Sequence, residues 1–117
     1  MRMWMVDPKI LCVKHLLGEH VELHMFMGTM KSHKSLAGYL RNKLLEPNDI
    51  IKRHDQLVEE ILRRGYRHQS PINPTLYEMA MDEYHLHDYH DIVDPVENKI
   101  ELAQRCEKCR QLQDADQ

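Results

Sequence analysis

The chain has 117 residues, of which 42% are hydrophobic and 30% are charged, a mixture typical of one small globular domain. It has no apolar run near the ~20 residues that cross a bilayer, and residues 1–11 lack the features of a secretory signal, so we expect a cytoplasmic protein with no membrane partner. The formal net charge of −3 does not provide the overall basic character of most nucleic-acid-binding proteins.

The predicted elements begin with residues 1–6 as a short extended arm, followed by a long first helix. Asp7 is a typical N-cap with Pro8 at the first helical position, and from there apolar residues recur at three- and four-residue steps. Gly28 is a typical helix stop. The sequence therefore predicts a first helix from Pro8 to Met27.

The rest of the chain also has helical patterns. Residues 35–45 predict a short helix ended by Pro47, and we expect Asp49 to cap a strongly amphipathic second helix that Gly65 stops. The remaining elements are a turn at 70–74, a short helix at 75–84, a polar loop at 85–95 and a third main helix from Pro95 to about Gln111. The predicted fold is all-α, a compact single domain over residues 1–117 with three main helices and one or two short ones.

One face of the first helix carries His15, Glu19 and Glu22 at steps of i, i+4 and i+7. Gly18 lies at the edge of this face and lets another backbone, side chain or substrate come close to the helix. Carboxylates beside an imidazole suit acid–base chemistry, because each group changes the pKa of the others. The alternative is a solvated helix face with an ordinary salt-bridge pattern.

Nine histidines are unusually many for this length. His20 and His24 form an i, i+4 pair that could share a metal ion with ligands from residues 85–91, although a polar loop explains that segment as well. We therefore expect no cofactor and no metal, with this pair as the alternative. His54 lies on the apolar stripe of the second helix, either as a core residue or facing the first helix to orient Glu22.

Cysteines and basic residues give weaker signals. Cys12, Cys106 and Cys109 are too few, and odd in number, for a disulfide framework. The C-x-x-C has no second pair to complete a structural zinc site, which favours unremarkable thiols. Arg2 and Trp4 could form a phosphate-binding edge with a basic set, for which a solvated surface is the alternative. This set contains Lys31, His33, Lys34, Arg41, Lys43, Arg63, Arg64, Arg67 and His68.

Together these features resemble the pyrimidine-dimer DNA glycosylase (phage endonuclease V-like) family of small helical UV-repair enzymes. The first helix is similar to the family's in HLLGEHVELHMFMG, where a histidine is followed at i+4 and i+7 by glutamates. The second resembles the family's middle helix in IIKRHDQLVEEILRRGYRHQSPI, and the third is loosely similar in NKIELAQRC. The resemblance implies a DNA glycosylase with lyase activity, which flips a nucleotide and attacks the sugar C1′ with an N-terminal amine.

The resemblance also implies roles for particular residues. Met1 would supply the amine, because a large residue such as Arg2 normally leaves the methionine in place. Glu22 matches the family's glutamate, supported by His15 and His54, while the neighbouring positions that are basic in the family hold Val21 and Met25. The implied substrate contacts are Arg2, Trp4, Gly18, Glu19, Lys31 and Lys34.

The expected partner is duplex DNA with a pyrimidine dimer or a related damaged or modified base; no protein partner is predicted. Two other functions stay open. One is a metal-binding or metal-dependent hydrolase that uses the histidine-rich positions. The other is a non-catalytic helical module that binds nucleic acid or protein.

Overall fold

In a computed structural model of the chain, the structure describes residues 1–68 and 70–116, and these form helices and turns without a β-strand. Six α-helices follow in chain order: α1 (Val13–Lys31), α2 (Ala37–Arg41), α3 (Ile50–Arg63), α4 (Pro74–Glu83), α5 (Pro95–Arg105) and α6 (Glu107–Ala115). The predicted all-α class is therefore confirmed. None of these helices is both long enough and apolar enough to cross a membrane.

The long first helix starts later than predicted. Asp7 accepts a hydrogen bond from the Lys9 N–H over 3.0 Å, as an N-cap does, but it starts only a single 3-10 turn, Pro8–Ile10. Leu11 then adopts an extended conformation, so the chain leaves the helical path before α1 begins. The Asp7 cap therefore belongs to a separate turn, and the predicted start of the long helix at Pro8 is wrong.

The first helix also ends later than predicted, because it passes through Gly28. The Ser32 N–H donates to the Gly28 carbonyl over 2.9 Å, and His33 leaves the helix with a φ of 57°. A glycine inside a helix costs only about 1 kcal/mol. The extra turn buries Met30, which is 1% exposed, and this burial offsets the cost.

The side chains of α1 divide between two faces. The buried residues are Leu16, Glu19, Leu23, Phe26 and Met30. A second row of apolar residues, at steps of four, remains exposed and consists of Val13, Leu17, Val21 and Met25. The apolar steps that predicted the helix therefore include a row that faces away from the core.

The second main helix, α3, packs against α1 and ends where the sequence predicts. Gly65 has a φ of 85°, and the Tyr66 N–H donates to the Ile61 carbonyl over 3.0 Å, which closes the helix. At the other end, Asp49 occupies the N-cap position without a capping hydrogen bond from its side chain. A 3-10 turn, Pro47–Asp49, leads into the helix instead.

The short elements lie close to their predicted positions. The helix α2 covers only the middle of the segment 35–45, and α4 is capped by Asn73, whose side chain accepts from the Thr75 and Leu76 N–H groups. The polar loop that follows contains one 3-10 turn, Leu86–Asp88.

The predicted third main helix is two helices. Asp94 caps α5 by accepting from the Val96 N–H over 2.9 Å. The chain then turns at Cys106, whose extended backbone ends α5 and whose side chain caps α6 by accepting from the Cys109 N–H. Helical periodicity does not reveal this corner, because the segments on both sides of it are amphipathic helices.

The N-terminal arm is part of the core. Its buried residues are Met3, Trp4 and Val6. The Met3 N–H donates to the Leu44 carbonyl over 2.7 Å, and the same hydrophobic cluster contains Leu102 and Cys109 from the last two helices. The first residues are therefore held between distant parts of the chain.

Candidate active site at the amino terminus

The carboxylate of Glu22 lies beside the first residues of the chain. Its Oε2 accepts a hydrogen bond from the backbone N–H of Arg2 over 3.4 Å. The next residue, Met3, is fully buried and its N–H donates to the Leu44 carbonyl, so the start of the chain is held in place. The α-amine of Met1 is thus one residue from the Glu22 contact, and the predicted nucleophile and carboxylate share one region.

The side chain of Arg2 ties this region to α5. Its guanidinium lies 3.7 Å from the centre of the Trp4 ring and donates to Asn98 over 2.8 Å and to Glu101 over 2.5 Å. Trp4 itself is only 4% exposed. The predicted substrate contacts of Arg2 and Trp4 would require both side chains to leave these partners. Sequence reasoning missed Asn98 and Glu101, because no local spacing relates them to the terminus.

His15 lies on the same flank of α1 as Glu22, as expected for residues seven apart. Its ring meets the Trp4 ring edge to face, with 5.9 Å between the ring centres. Burial lowers the pKa of His15 below its usual value of 6.5 and Lys14 lowers it further, while the negative charge of Glu22 opposes both. The lowered pKa favours the neutral form of His15, whose ring packs against Trp4 on the Glu22 flank.

Glu19 is one turn before Glu22 and has a very different environment. It is 1% exposed, and its two carboxylate oxygens accept from Arg53 of α3 over 2.6 and 2.9 Å. Arg53 also donates to the Val6 carbonyl over 2.6 Å, so this pair joins α1, α3 and the N-terminal segment. A substrate contact of Glu19 would need this buried pair to open. Glu22, by contrast, makes one long hydrogen bond among the described residues, through Oε2. Its other carboxylate oxygen, Oε1, has no hydrogen-bond partner among them and could accept a proton.

The surface beside the site is open and partly apolar. A Cβ atom built on Gly18 meets nothing within 4 Å, so the helix backbone is accessible there. Val21 and Met25 are exposed on the same helix. Lys31 and Lys34 are also exposed, but Lys31 is the last residue of α1, roughly 13 Å along the axis from Glu22, and Lys34 follows after the helix has ended.

A second polar group, here called the histidine cluster, lies on the opposite flank of α1 and consists of His20, His24, His54 and His68. The ring centres of His20 and His54 are 4.9 Å apart, and those of His24 and His54 are 5.1 Å apart. Burial, reinforced by the charge of His54, lowers the pKa of His20 to about 4. His54 therefore meets the histidine pair of α1, and the structure does not bring it to Glu22.

The loop at 85–91 does not supply ligands to this pair. Its His87 Nε2 lies 3.0 Å from the Asp82 carboxylate on α4, and its His90 Nδ1 lies 3.5 Å from the Asn48 amide. The proposed metal set that combined the loop with the α1 pair is therefore wrong, because the loop packs elsewhere. Within the histidine cluster, ligand atoms of His20, His54 and His68 lie within 4.8 Å of one another.

A further group of side chains that could hold a metal ion was missed by the sequence analysis. Ligand atoms of Cys12, His15, Cys106 and Cys109 all lie within 4.8 Å of one another. The cysteines are free thiols. The prediction that the C-x-x-C lacks a second pair of ligands is wrong, because Cys12 and His15 lie beside it. The partner is the C-x-x-H at the start of α1. The signal that could have found it is the shared three-residue spacing of CVKH and CEKC.

A family model described as pyrimidine dimer DNA glycosylase matches residues 1–74 of the chain. This range contains the amino terminus, all of α1 and α3, and the histidine cluster, and it ends where α4 begins. No curated protein and no solved structure matches the chain.

Proposed function

The chain belongs to the pyrimidine dimer DNA glycosylase family, and from that premise we propose that it is a DNA repair glycosylase with abasic-site lyase activity. Its proposed substrate is duplex DNA that carries a pyrimidine dimer or a related damaged or modified base. The observation that carries the proposal is the 3.4 Å contact between Glu22 Oε2 and the backbone nitrogen of Arg2, which brings a carboxylate to the start of the chain.

In the proposed reaction, the α-amine of Met1 attacks C1′ of a nucleotide that has been flipped out of the duplex. The nitrogen–C1′ bond forms as the bond from C1′ to the base breaks, and the base leaves with the electron pair and takes up a proton. The amine nitrogen loses one proton, the C1′–O4′ bond of the sugar ring breaks, and O4′ takes up a proton, which leaves a protonated Schiff base between C1′ and the nitrogen. Removal of a C2′ proton then expels the 3′ oxygen and breaks the strand.

We propose that Glu22 serves this sequence in two ways. Its free oxygen accepts protons, first from the amine and later from C2′, as a general base. Its negative charge also stabilises the positive charge that develops on the sugar and on the iminium nitrogen. A half-buried carboxylate near the terminus suits both roles, since partial removal of water strengthens the electrostatic effect.

The other predicted site residues have supporting roles in this proposal. His15 and His54 stabilise the two flanks of α1, and Gly18 provides space for the sugar–phosphate backbone. Lys31 and Lys34 bind phosphates away from the reacting centre. Direct substrate contacts of Arg2, Trp4 and Glu19 remain part of the proposal, and each needs a rearrangement on DNA binding.

The test is borohydride trapping on duplexes that contain an abasic site or have been irradiated with UV light. We expect a covalent protein–DNA adduct with the natural chain, and a loss of strand cleavage of at least about 100-fold in Glu22→Gln. The matched control is Glu59→Gln, which makes the same change at an exposed position of α3 and should cleave normally. The absence of an adduct with either DNA would overturn the proposal.

Peptide mapping of the trapped adduct identifies the amine that reacts. An adduct on Met1 supports the reaction as written, and an adduct on a lysine side chain contradicts it. Intact-mass measurement of the free protein belongs with this experiment. If Met1 is removed, the α-amine becomes that of Arg2, whose nitrogen is the atom that Glu22 contacts.

A second candidate function rests on the histidine cluster. The close approach of ligand atoms from His20, His54 and His68 favours a metal-dependent hydrolase of the kind left open by the sequence. This candidate predicts that strand cleavage is abolished by a chelator and by His20→Gln but does not require Glu22. The third possibility, a non-catalytic module, predicts that Glu22→Gln changes stability while no variant shows turnover.

A further inference from the structure

Four side chains from opposite ends of the sequence meet at the corner between α5 and α6. Cys12 and His15 lie at the start of α1, and Cys106 and Cys109 lie at the corner itself. The Sγ atom of Cys12 is 3.2 Å from the His15 Nδ1 and 3.8 Å from the Cys106 Sγ. The Sγ of Cys109 is 3.6 Å from the same histidine nitrogen.

These separations match the ligand shell of a single zinc ion. Zinc binds four ligands tetrahedrally, with bonds of about 2.3 Å to sulfur and about 2.0 Å to nitrogen, which separates two sulfurs by roughly 3.8 Å and a sulfur and a nitrogen by roughly 3.5 Å. The observed contacts of Cys12, Cys109 and His15 lie close to these values. Three thiolates and one imidazole are also a donor set that favours zinc.

Backbone N–H groups face the sulfurs of Cys106 and Cys109, although burial raises the pKa of the Cys109 thiol, which metal binding has to overcome. The Cys12 N–H donates to the Cys109 Sγ over 3.2 Å, and the Cys109 N–H donates to the Cys106 Sγ over 3.5 Å. Cys12 and Cys106 are the N-caps of α1 and α6, where the helix dipoles stabilise negative charge. Hydrogen bonds and dipoles of this kind orient ligands and stabilise the excess negative charge of a zinc bound by three thiolates.

We propose that Cys12, His15, Cys106 and Cys109 bind one structural Zn²⁺ ion. Four protein ligands complete the tetrahedral shell, so the ion has no open position for substrate and serves stability. Binding releases the thiol protons as the three sulfurs become thiolates. The zinc site shares His15 with the flank of α1 that carries Glu22, but it includes neither Glu22 nor Met1, so the inference does not depend on the proposed glycosylase reaction.

The zinc site has a consequence for the arrangement of the whole chain. Cys106 and Cys109 lie beyond the residues that match the family model, so the ion joins the matched region to the last two helices. The same α5 carries Asn98 and Glu101, which hold Arg2 next to Glu22. Loss of zinc should therefore loosen the amino terminus as well as the corner.

The experiment is metal analysis of the full chain, expressed without a histidine tag and purified without chelators. We expect about one zinc per chain by elemental analysis and native mass spectrometry. Cys106→Ser should weaken zinc binding by at least about tenfold in competition with a chromophoric chelator. His20→Gln is the matched control, because it removes a ligand of the histidine cluster and should leave the zinc content unchanged.

A measurement on the natural chain covers the case in which Cys106→Ser does not fold. Replacement of zinc by Co²⁺ should produce sulfur-to-cobalt charge-transfer absorption and the intense visible bands of a tetrahedral site. The proposal is overturned by a cobalt spectrum without sulfur bands, or by zinc that is lost in His20→Gln and kept in Cys106→Ser. Bound iron–sulfur in place of zinc, or a disulfide in the freshly purified chain, would equally overturn it.

Discussion

The two flanks of α1 carry similar residues and differ in what surrounds them. On one flank, Glu22 and His15 meet partners from the amino terminus and the last two helices. On the other, His20 and His24 meet two more imidazoles, and their Nε2 atoms are buried without a hydrogen-bond partner among the described residues. The first flank therefore places a carboxylate beside a held terminus, while on the second flank burial lowers the pKa of His20 and His24.

The helix α1 therefore separates the carboxylate site of Glu22 from the histidine cluster. Glu19 and Arg53 lie between the flanks and join α1 to α3 through a buried ion pair. A carboxylate that is fully paired stabilises the fold, and one that is partly paired is available for reaction. Each flank can therefore be tested without disturbing the other.

The largest effect is expected from the ion pair that separates the flanks. Glu19→Gln leaves the Arg53 charge buried without a counter-ion, so unfolding in urea should show a loss of about 3–5 kcal/mol. The double variant Glu19→Gln with Arg53→Met should lose less, because no buried charge is left over. A single-variant loss below about 1 kcal/mol would contradict this role of the pair.

The next effect is a dependence of stability on pH that belongs to the histidine flank. His20 has a pKa of about 4 in the folded chain and an ordinary value of 6.5, so the unfolded chain binds more protons between these values. Stability should be constant above about pH 6.5 and fall by about 2 kcal/mol, after allowance for solvent screening, as the pH drops to about 4.

Urea unfolding at several pH values checks this prediction. His20→Gln should flatten the loss between pH 6.5 and 4, whereas His90→Gln, at an exposed position, should leave it unchanged. Asp55, at 3.4 Å from the His54 Nδ1, is exposed and should make only a small difference. Equal curves for the natural chain and His20→Gln would mean that the cluster does not resist protonation.

A smaller effect is expected on the Glu22 flank. Arg2→Ala removes the contacts to Trp4, Asn98 and Glu101, so we expect a loss of about 1 kcal/mol. Trp4 is the single tryptophan, and its fluorescence should shift to the red as the ring gains solvent. The control Arg105→Ala removes only an exposed 3.9 Å contact and should not move the emission. An unchanged spectrum in Arg2→Ala would contradict the proposed anchoring.

The smallest effect has the opposite sign. Gly18→Ala should stabilise the chain by about 0.5–1 kcal/mol, because alanine favours the helix and its Cβ meets nothing within 4 Å. Gly28→Ala is the matched control, with the same open space on the same helix. If DNA approaches the backbone beside Glu22, only Gly18→Ala should weaken binding in a titration with damaged duplex. Equal binding of damaged duplex by both variants would mean that DNA does not approach the helix at Gly18.

Local patterns in the sequence predicted several features correctly. Helical periodicity predicted the all-α class, and Gly65 ends α3 because only glycine adopts its positive φ without strain. The seven-residue spacing of His15 and Glu22 puts them on one flank of α1 in any α-helix. The helix ends were less predictable, as Gly28 shows, since burial of a later residue can offset a stop signal.

The sequence by itself determined the helical class, the family and the shared flank of His15 and Glu22, because each depends on residues a few positions apart. Only the tertiary structure decided that Arg2 lies against α5, that Glu19 pairs with Arg53, and that the cysteines gather at one corner. The contacts between these parts of the chain join residues 34 to 99 positions apart. No helical period relates such distant positions; the packing of the core brings them together.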